Sequence, residues 1–153
     1  VKKEITYLII QFILFTLFFI EWDDALEFSY PTWLNFVVFS IVAVGILIIV
    51  FGILNLNNNI NPFDKSEEIK EFVFVGIYNY IRHPIYLGIG VLMLSFAFYS
   101  QSLIKLFITL LLGIIFYFKS SHEEKLLVKS NSDYKKYKEK TGRFFPKFNN
   151  SKS

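Results

Sequence analysis

Four apolar runs, all but free of charge, divide the chain: Ile5 to Ile20, Thr32 to Leu56, Ile85 to Tyr99 and Leu103 to Phe118, the last broken only by Lys105. A helix crosses a hydrocarbon core of roughly 30 Å with about 20 apolar residues, and about 17 suffice. The second run meets this outright. The first meets it with Trp22 as an interfacial anchor. The third and fourth are short singly, but only Ser100-Gln101-Ser102 parts them, and Lys105 can snorkel outward from just inside the bilayer. They predict a helical hairpin.

Lys2-Lys3 ahead of an apolar stretch fits the start of a signal peptide. Beyond that stretch stands Glu21-Trp22-Asp23-Asp24, without a small-residue cleavage site, so the first run is expected to stay as a helix. With four spans, the first residues, the segment 57–83 and everything after Phe118 share one side, which holds every one of the 16 basic residues except Lys105. The opposite loop carries Glu21, Asp23, Asp24 and Glu27 and no basic residue. The positive-inside bias therefore predicts both termini in the cytoplasm. The expected fold is all-α: an integral membrane helical bundle of about four transmembrane helices, the last two a hairpin, followed by a cytoplasmic helical tail. One domain, 1–153, is expected, with two N-terminal spans in 1–56 and the chemistry in 57–148.

Composition narrows the class further. A hydrophobic fraction of 54%, 19 Phe and a mean hydropathy of +0.44 exceed what a soluble domain of this length carries. Zero cysteines exclude disulfides, thiolate metal sites and a Cys nucleophile, and no metal is expected. The lysine-rich tail reads as an electrostatic contact with a membrane surface rather than with nucleic acid. Asn57-Asn58-Asn59 reads as a polar connector after the second span, and the residues from Asn149 as a frayed end.

Two knots of ionisable residues flank the hairpin, and ionisable groups at a membrane edge mark function by default. The first runs from Gly76 through Tyr78, Tyr80, Arg82, His83, Pro84 and Tyr86 to Gly88. Pro84 suits the first position of a helix, whose free N–H groups and positive dipole end would make an anion pocket beside Arg82 and His83. Arg82 offers a planar fork to a carboxylate or phosphate, His83 exchanges protons near neutrality, and the tyrosines offer faces to a cation or a heterocycle. The same residues also fit a plain interfacial belt.

The second knot, His122-Glu123-Glu124, lies beyond the fourth run. Consecutive helical residues diverge by about 100°, so one carboxylate is expected to point into the site while the other faces water or Lys125. Lys119 lies on the face of Glu123. Counted from the turn at about 1.5 Å per residue, His83 lies roughly 25 Å down one leg of the hairpin and Glu123 roughly 31 Å down the other. Both knots return to one interface, with an offset that suits a small molecule wedged between them.

The ordered set Gly76-x-Tyr78-x-Tyr80-x-Arg82-His83-Pro84-x-Tyr86-x-Gly88, Glu123-Glu124-x-x-Leu127, Tyr134-x-x-Tyr137 and Arg143-Phe144-Phe145-Pro146, with Asn61-Pro62-Phe63 upstream, resembles the isoprenylcysteine carboxyl methyltransferase and phospholipid methyltransferase superfamily. The resemblance spans roughly residues 55 to 148. It implies a membrane enzyme that binds S-adenosylmethionine without a Rossmann domain, and no Gly-x-Gly-x-x-Gly is present. By position, Tyr78, Arg82, His83, Pro84, Tyr86, Gly88, Glu123 and Glu124 would bind the cofactor. Arg82, His83, Lys119, Glu123 and Glu124 would form the catalytic set, and Tyr134, Tyr137, Phe144 and Phe145 a lid. Lys119 stands where the family often carries arginine. The implied reaction is methyl transfer to a small lipophilic or membrane-embedded acceptor, an isoprenylcysteine-like carboxylate or a phospholipid-like amine. Two alternatives stay open: a membrane reductase or isomerase with a nicotinamide or no cofactor, and a non-catalytic membrane adaptor.

Overall fold

The computed structural model describes residues 2–22, 28–59 and 76–147. Within them lie five helices: α1 (Lys2–Phe19), α2 (Leu34–Asn59), α3 (Pro84–Tyr99), α4 (Leu103–Ser130) and α5 (Asp133–Lys140), with a 3-10 turn over Gly76–Asn79. The described residues contain no strand, and the only β-type pairing among them is an isolated parallel bridge between Ile81 and Gly142. The fold is all-α, as the apolar pattern predicts. The acidic residues Asp23, Asp24 and Glu27, the Asn61-Pro62-Phe63 motif, Lys65, Lys70 and the end from Asn149 lie outside the described residues.

The hairpin forms where the sequence breaks. Gln101 takes a left-handed φ of 53°, and Ser102 caps α4 by accepting from the backbone N–H of Lys105 at 3.2 Å. Lys105 folds its amine back over the Phe96 ring at 5.2 Å, outside the apolar core. Three Asn residues do not end α2, which runs through Asn59 rather than giving way to a connector at Asn57. Asn costs a helix only a few tenths of a kcal/mol per residue, too little to stop one already propagating from a long apolar segment.

The pairings of α2 with α3, α3 with α4 and α1 with α4 are antiparallel. Along the α2–α3 seam, Gly52 meets Ile85, Ile49 meets Gly88, and Gly45 meets Leu92. Gly88 is what permits the approach, since a Cβ there would fall 2.5 Å from Ile49 Cγ1 and 3.0 Å from the carbonyl oxygen of Gly45. Small residues at such a seam let helix backbones close up where lipid offers no hydrophobic drive to do so. On the other side of α3, Leu14 and Phe18 of α1, Met93 and Ala97 of α3, and Ile108, Leu112 and Phe116 of α4 form the buried core.

Outside that core the apolar stretches of α1 to α4 are apolar on their exposed faces as well. Phe12, Phe36, Phe107 and Leu110 are all exposed, Phe36 by 78%, and the buried hydroxyls of Ser95, Thr109 and Ser120 bond back to carbonyls of their own helices. Such a surface belongs in lipid. α2, over Leu34–Leu56, and α4 are long and apolar enough to cross a membrane, whereas α3 is apolar but shorter. α1 carries Lys2, Lys3 and Glu4 in its first turn.

Replacing Gly88 by Val should wedge the seam open and cost about 1–3 kcal/mol. A lowered midpoint in detergent-titrated unfolding, with helix content retained in the native baseline, is the expected result.

Candidate active site

The first polar knot is held in place by the chain near its other end. After the 3-10 turn, residues 81–83 run extended beside residues 142–143. Arg82 N–H donates to Gly142 O at 2.9 Å, His83 N–H to Arg143 O at 3.0 Å, and Gly142 N–H to Tyr80 O at 3.2 Å. A Cβ at residue 142 would overlap the carbonyl oxygen of Phe145, so only glycine fits this crossing. Pro84 then opens α3 with His83 as its N-cap, and no side-chain cap is made. The imidazole is thereby left to turn toward α4.

α4 outruns its apolar segment by more than three turns, and this extension carries the acids to the motif. Glu124 is fully buried. Its Oε1 accepts from Arg82 Nε at 2.8 Å and lies 3.2 Å from His83 Nε2, while its Oε2 accepts from Arg143 Nη2 at 3.0 Å and lies 3.2 Å from Lys138 Nζ. A buried carboxylate survives desolvation only with such compensation, and the four partners hold it as the anion. Arg82 also donates through Nη1 to the carbonyls of Lys138 (3.1 Å) and Thr141, closing the C-terminal end of α5.

Glu123 turns to the same side. Its Oε1 accepts from the Tyr86 hydroxyl at 2.8 Å, and its Oε2 lies 3.8 Å from His83 Nδ1. The expected divergence, with one acid inward and the other to water, is therefore not seen. Long side chains on adjacent positions converge because Tyr86 and His83 stand one turn apart on facing structure. Glu123 nonetheless keeps 33% of its side chain exposed, against none for Glu124. The two knots also touch directly, without the gap that the helix-length count had left between them.

Aromatic groups complete the site. The Tyr86 ring lies nearly parallel to His83, with centroids 5.4 Å apart, and to Phe116 of the core at 4.8 Å. Phe144 leans on His83 at 6.1 Å, and Arg143 lies over the Tyr117 ring at 4.7 Å. Of the tail residues expected to cover the site, Tyr134 is buried and Tyr137 donates to Tyr78 O at 2.6 Å, whereas Phe145 stays exposed. Burial, followed by the nearby charge of Glu124, pushes the Tyr134 phenol up to about 12, and burial raises Tyr137 and Tyr78 as well.

Arg82, His83, Tyr86, Glu123 and Glu124 thus form one cluster. Pro84 sits at its edge as the start of α3, and Tyr78 contributes a main-chain carbonyl. Lys119 turns instead to Gln11 of α1, donating to its Oε1 at 3.0 Å, with the Tyr86 ring at 5.1 Å. Gly88 packs on α2. Sequence reasoning passed over Lys138 and Gln11 and treated Arg143 only as part of a closing motif. Gln11, an amide inside an apolar run, was a signal in plain view.

A helical bundle with an apolar surface and a buried ionic cluster at one end of its hairpin fits a membrane protein with a built polar site. The phospholipid methyltransferase family matches residues 33–133, about two-thirds of the chain, and the protein belongs to that family. No curated protein and no solved structure gave a match. The matched span holds Arg82, His83, Glu123 and Glu124 but stops before Lys138, Thr141 and Arg143, and starts after Gln11.

Two outcomes test this geometry. Glu124→Ala leaves two guanidinium groups and an ammonium without their anion and should destabilise the protein by about 3–5 kcal/mol. Arg143→Ala should cost less, and a double-mutant cycle on detergent unfolding should return a favourable coupling between the two. The raised Tyr134 phenol means that the unfolded chain ionises first as pH climbs. Stability should therefore be full below about pH 10 and fall from there through about pH 12. Stability measured against pH, alongside phenolate absorbance, checks the sign.

Proposed function

We propose that this protein transfers the methyl group of S-adenosylmethionine to a membrane lipid acceptor, at a site on the cytoplasmic edge of a four-span bundle. The family gives the class of reaction. The observation that carries the finer reading is the convergence of Arg82, His83 and Tyr86 with Glu123 and Glu124. The basic residues of the tail and of the first turn of α1 support the cytoplasmic orientation by the positive-inside bias.

The donor set fits the cofactor chemically. S-adenosylmethionine carries a sulfonium, an ammonium, a carboxylate, ribose hydroxyls and a heterocycle, and bound it supplies a methyl group already activated for in-line transfer. Glu123 is the carboxylate with exposed lone pairs, suited to the cationic or hydroxyl groups. The faces of His83 and Phe144 suit the heterocycle. Glu124, already holding four partners, acts by fixing Arg82, His83, Arg143 and Lys138 in place. Tyr78, Pro84 and Gly88 act through the backbone, setting the 3-10 turn, the start of α3 and the depth of the seam. Catalysis on this reading is positioning and electrostatics: the chain aligns the reactants, offsets positive charge with Glu123 and excludes water behind α5 and residues 141–145.

Calorimetric titration of the purified, folded protein with S-adenosylhomocysteine provides the test. Glu123→Gln and His83→Ala should each weaken binding by about tenfold or more, corresponding to at least ~1.4 kcal/mol. Unchanged affinity in both variants, or NADPH binding in place of S-adenosylhomocysteine, overturns the reading.

A further inference from the structure

The seam between α2 and α3 is close along only part of its length. From Gly52 and Ile85 to Gly45 and Leu92, glycine lets the two backbones approach. Beyond that point the same stripes continue as Leu34, Val38 and Ile41 on α2 and as Ser95 and Phe98 on α3, with no glycine among them, and a cavity of about 370 Å³ lies between the helices. The segment before α2 closes one end of it. Phe28 N–H donates to Gln101 O at 3.1 Å, which pins the segment to the hairpin turn, and the Phe28 ring meets Phe98 edge-on at 5.7 Å.

The chemistry of the lining selects its occupant. The Ser95 hydroxyl already donates to Val91 O of its own helix at 2.8 Å, and Tyr30 donates to Asn35 Oδ1 at 2.7 Å. Water held in a cavity needs several polar partners, and this apolar lining does not supply them. The mouth is continuous with the exposed apolar flanks of Val37, Ile41, Leu94 and Phe98, so hydrocarbon is what meets it. An apolar cavity of roughly 150 Å³ holds one benzene, which gives this one room for a chain of roughly a dozen carbons. Position along the bundle sets it apart from the ionic cluster. Ser95 lies roughly 18 Å along α3 from His83 at about 1.5 Å per residue, past the middle of a hydrocarbon core about 30 Å thick. Tyr30, Asn35 and the exposed Trp33 then stand at the far interface, where amphipathic side chains meet headgroups.

We propose that this cavity binds one acyl chain of a bilayer lipid from the leaflet opposite the ionic cluster, at a site separate from that of the reaction. The chain fills the wedge between α2 and α3, with Tyr30 and Asn35 at the level of the lipid's ester groups. The site stands whether or not methyl transfer is the reaction.

Thermal unfolding of the full-length protein, in a steroid-based detergent whose tail is not a hydrocarbon chain, provides the test. Octanoyl, lauroyl, myristoyl and stearoyl lysophosphatidylcholine are added at matched mole fraction in the micelle. The midpoint should rise saturably, with affinity several-fold higher for lauroyl than for octanoyl and level from there on, because further carbons lie outside the lining and gain no contacts. Val38→Trp fills the cavity from α2 and Ser95→Leu from α3, and each should raise the half-saturating mole fraction tenfold or more. Phe36→Ala, on the outer face of α2, should leave it unchanged. The absence of a saturable rise in the unaltered protein overturns the proposal, as does affinity that ignores chain length or climbs through stearoyl. Either filled variant, once folded, that still binds like the parent overturns it too. Glu123→Gln should keep the chain-length profile; loss of the rise in that variant assigns the chain to a lipid at the polar site and refutes a separate one.

Discussion

One fully buried carboxylate organises the polar end of this molecule. Glu124 gathers Arg82 and His83 from the segment before α3, Lys138 from α5 and Arg143 from the chain beyond it. A charge with no exposure is costly, and its removal from such a set would cost more still, because four donors would then face one another. That mutual dependence allows three stretches far apart in sequence to share one small volume at the end of a hairpin. The ion cluster is weak evidence of net stability, but it is strong evidence of a specified arrangement.

The rest of the bundle obeys a different logic. Apolar residues cover the outside as well as the inside, so burial alone does not tell one helix face from another. Close approach of α2 and α3 at Gly88, and large side chains filling the α1, α3 and α4 core, set the packing in its place. Phe116 belongs both to this core and to the aromatic stack of the site, and there the two regimes join.

Much of this was legible in the chain. Runs without charge marked α1 to α4, Ser100-Gln101-Ser102 marked the turn, and Pro84 marked the first residue of α3, since each rests on a local property of its residues. That the two knots meet followed from the hairpin alone. Less readable was how they meet. Helical angles separate Glu123 from Glu124, yet three rotatable bonds per side chain erase that difference when Tyr86 and His83 are both in reach. Arg143 and Lys138 were hidden for another reason: their role depends on residues 141–143 pairing with residues 81–83, a contact with no periodicity to announce it. The length of α2 past Leu56 likewise reflects propagation rather than any signal in the asparagines.

The column formed by His83, Tyr86 and Phe116 carries a consequence for how far the polar cluster is insulated from the core. Its inner ring is an ordinary lipid-bundle residue and its outer ring touches both acids. In a close-packed interior, a change of volume at one end is transmitted rather than absorbed. Drift at position 116, silent by any criterion of polarity, would retune the tilt of an imidazole two rings away. A residue that looks like mere filling thus takes part in the geometry of the polar cluster.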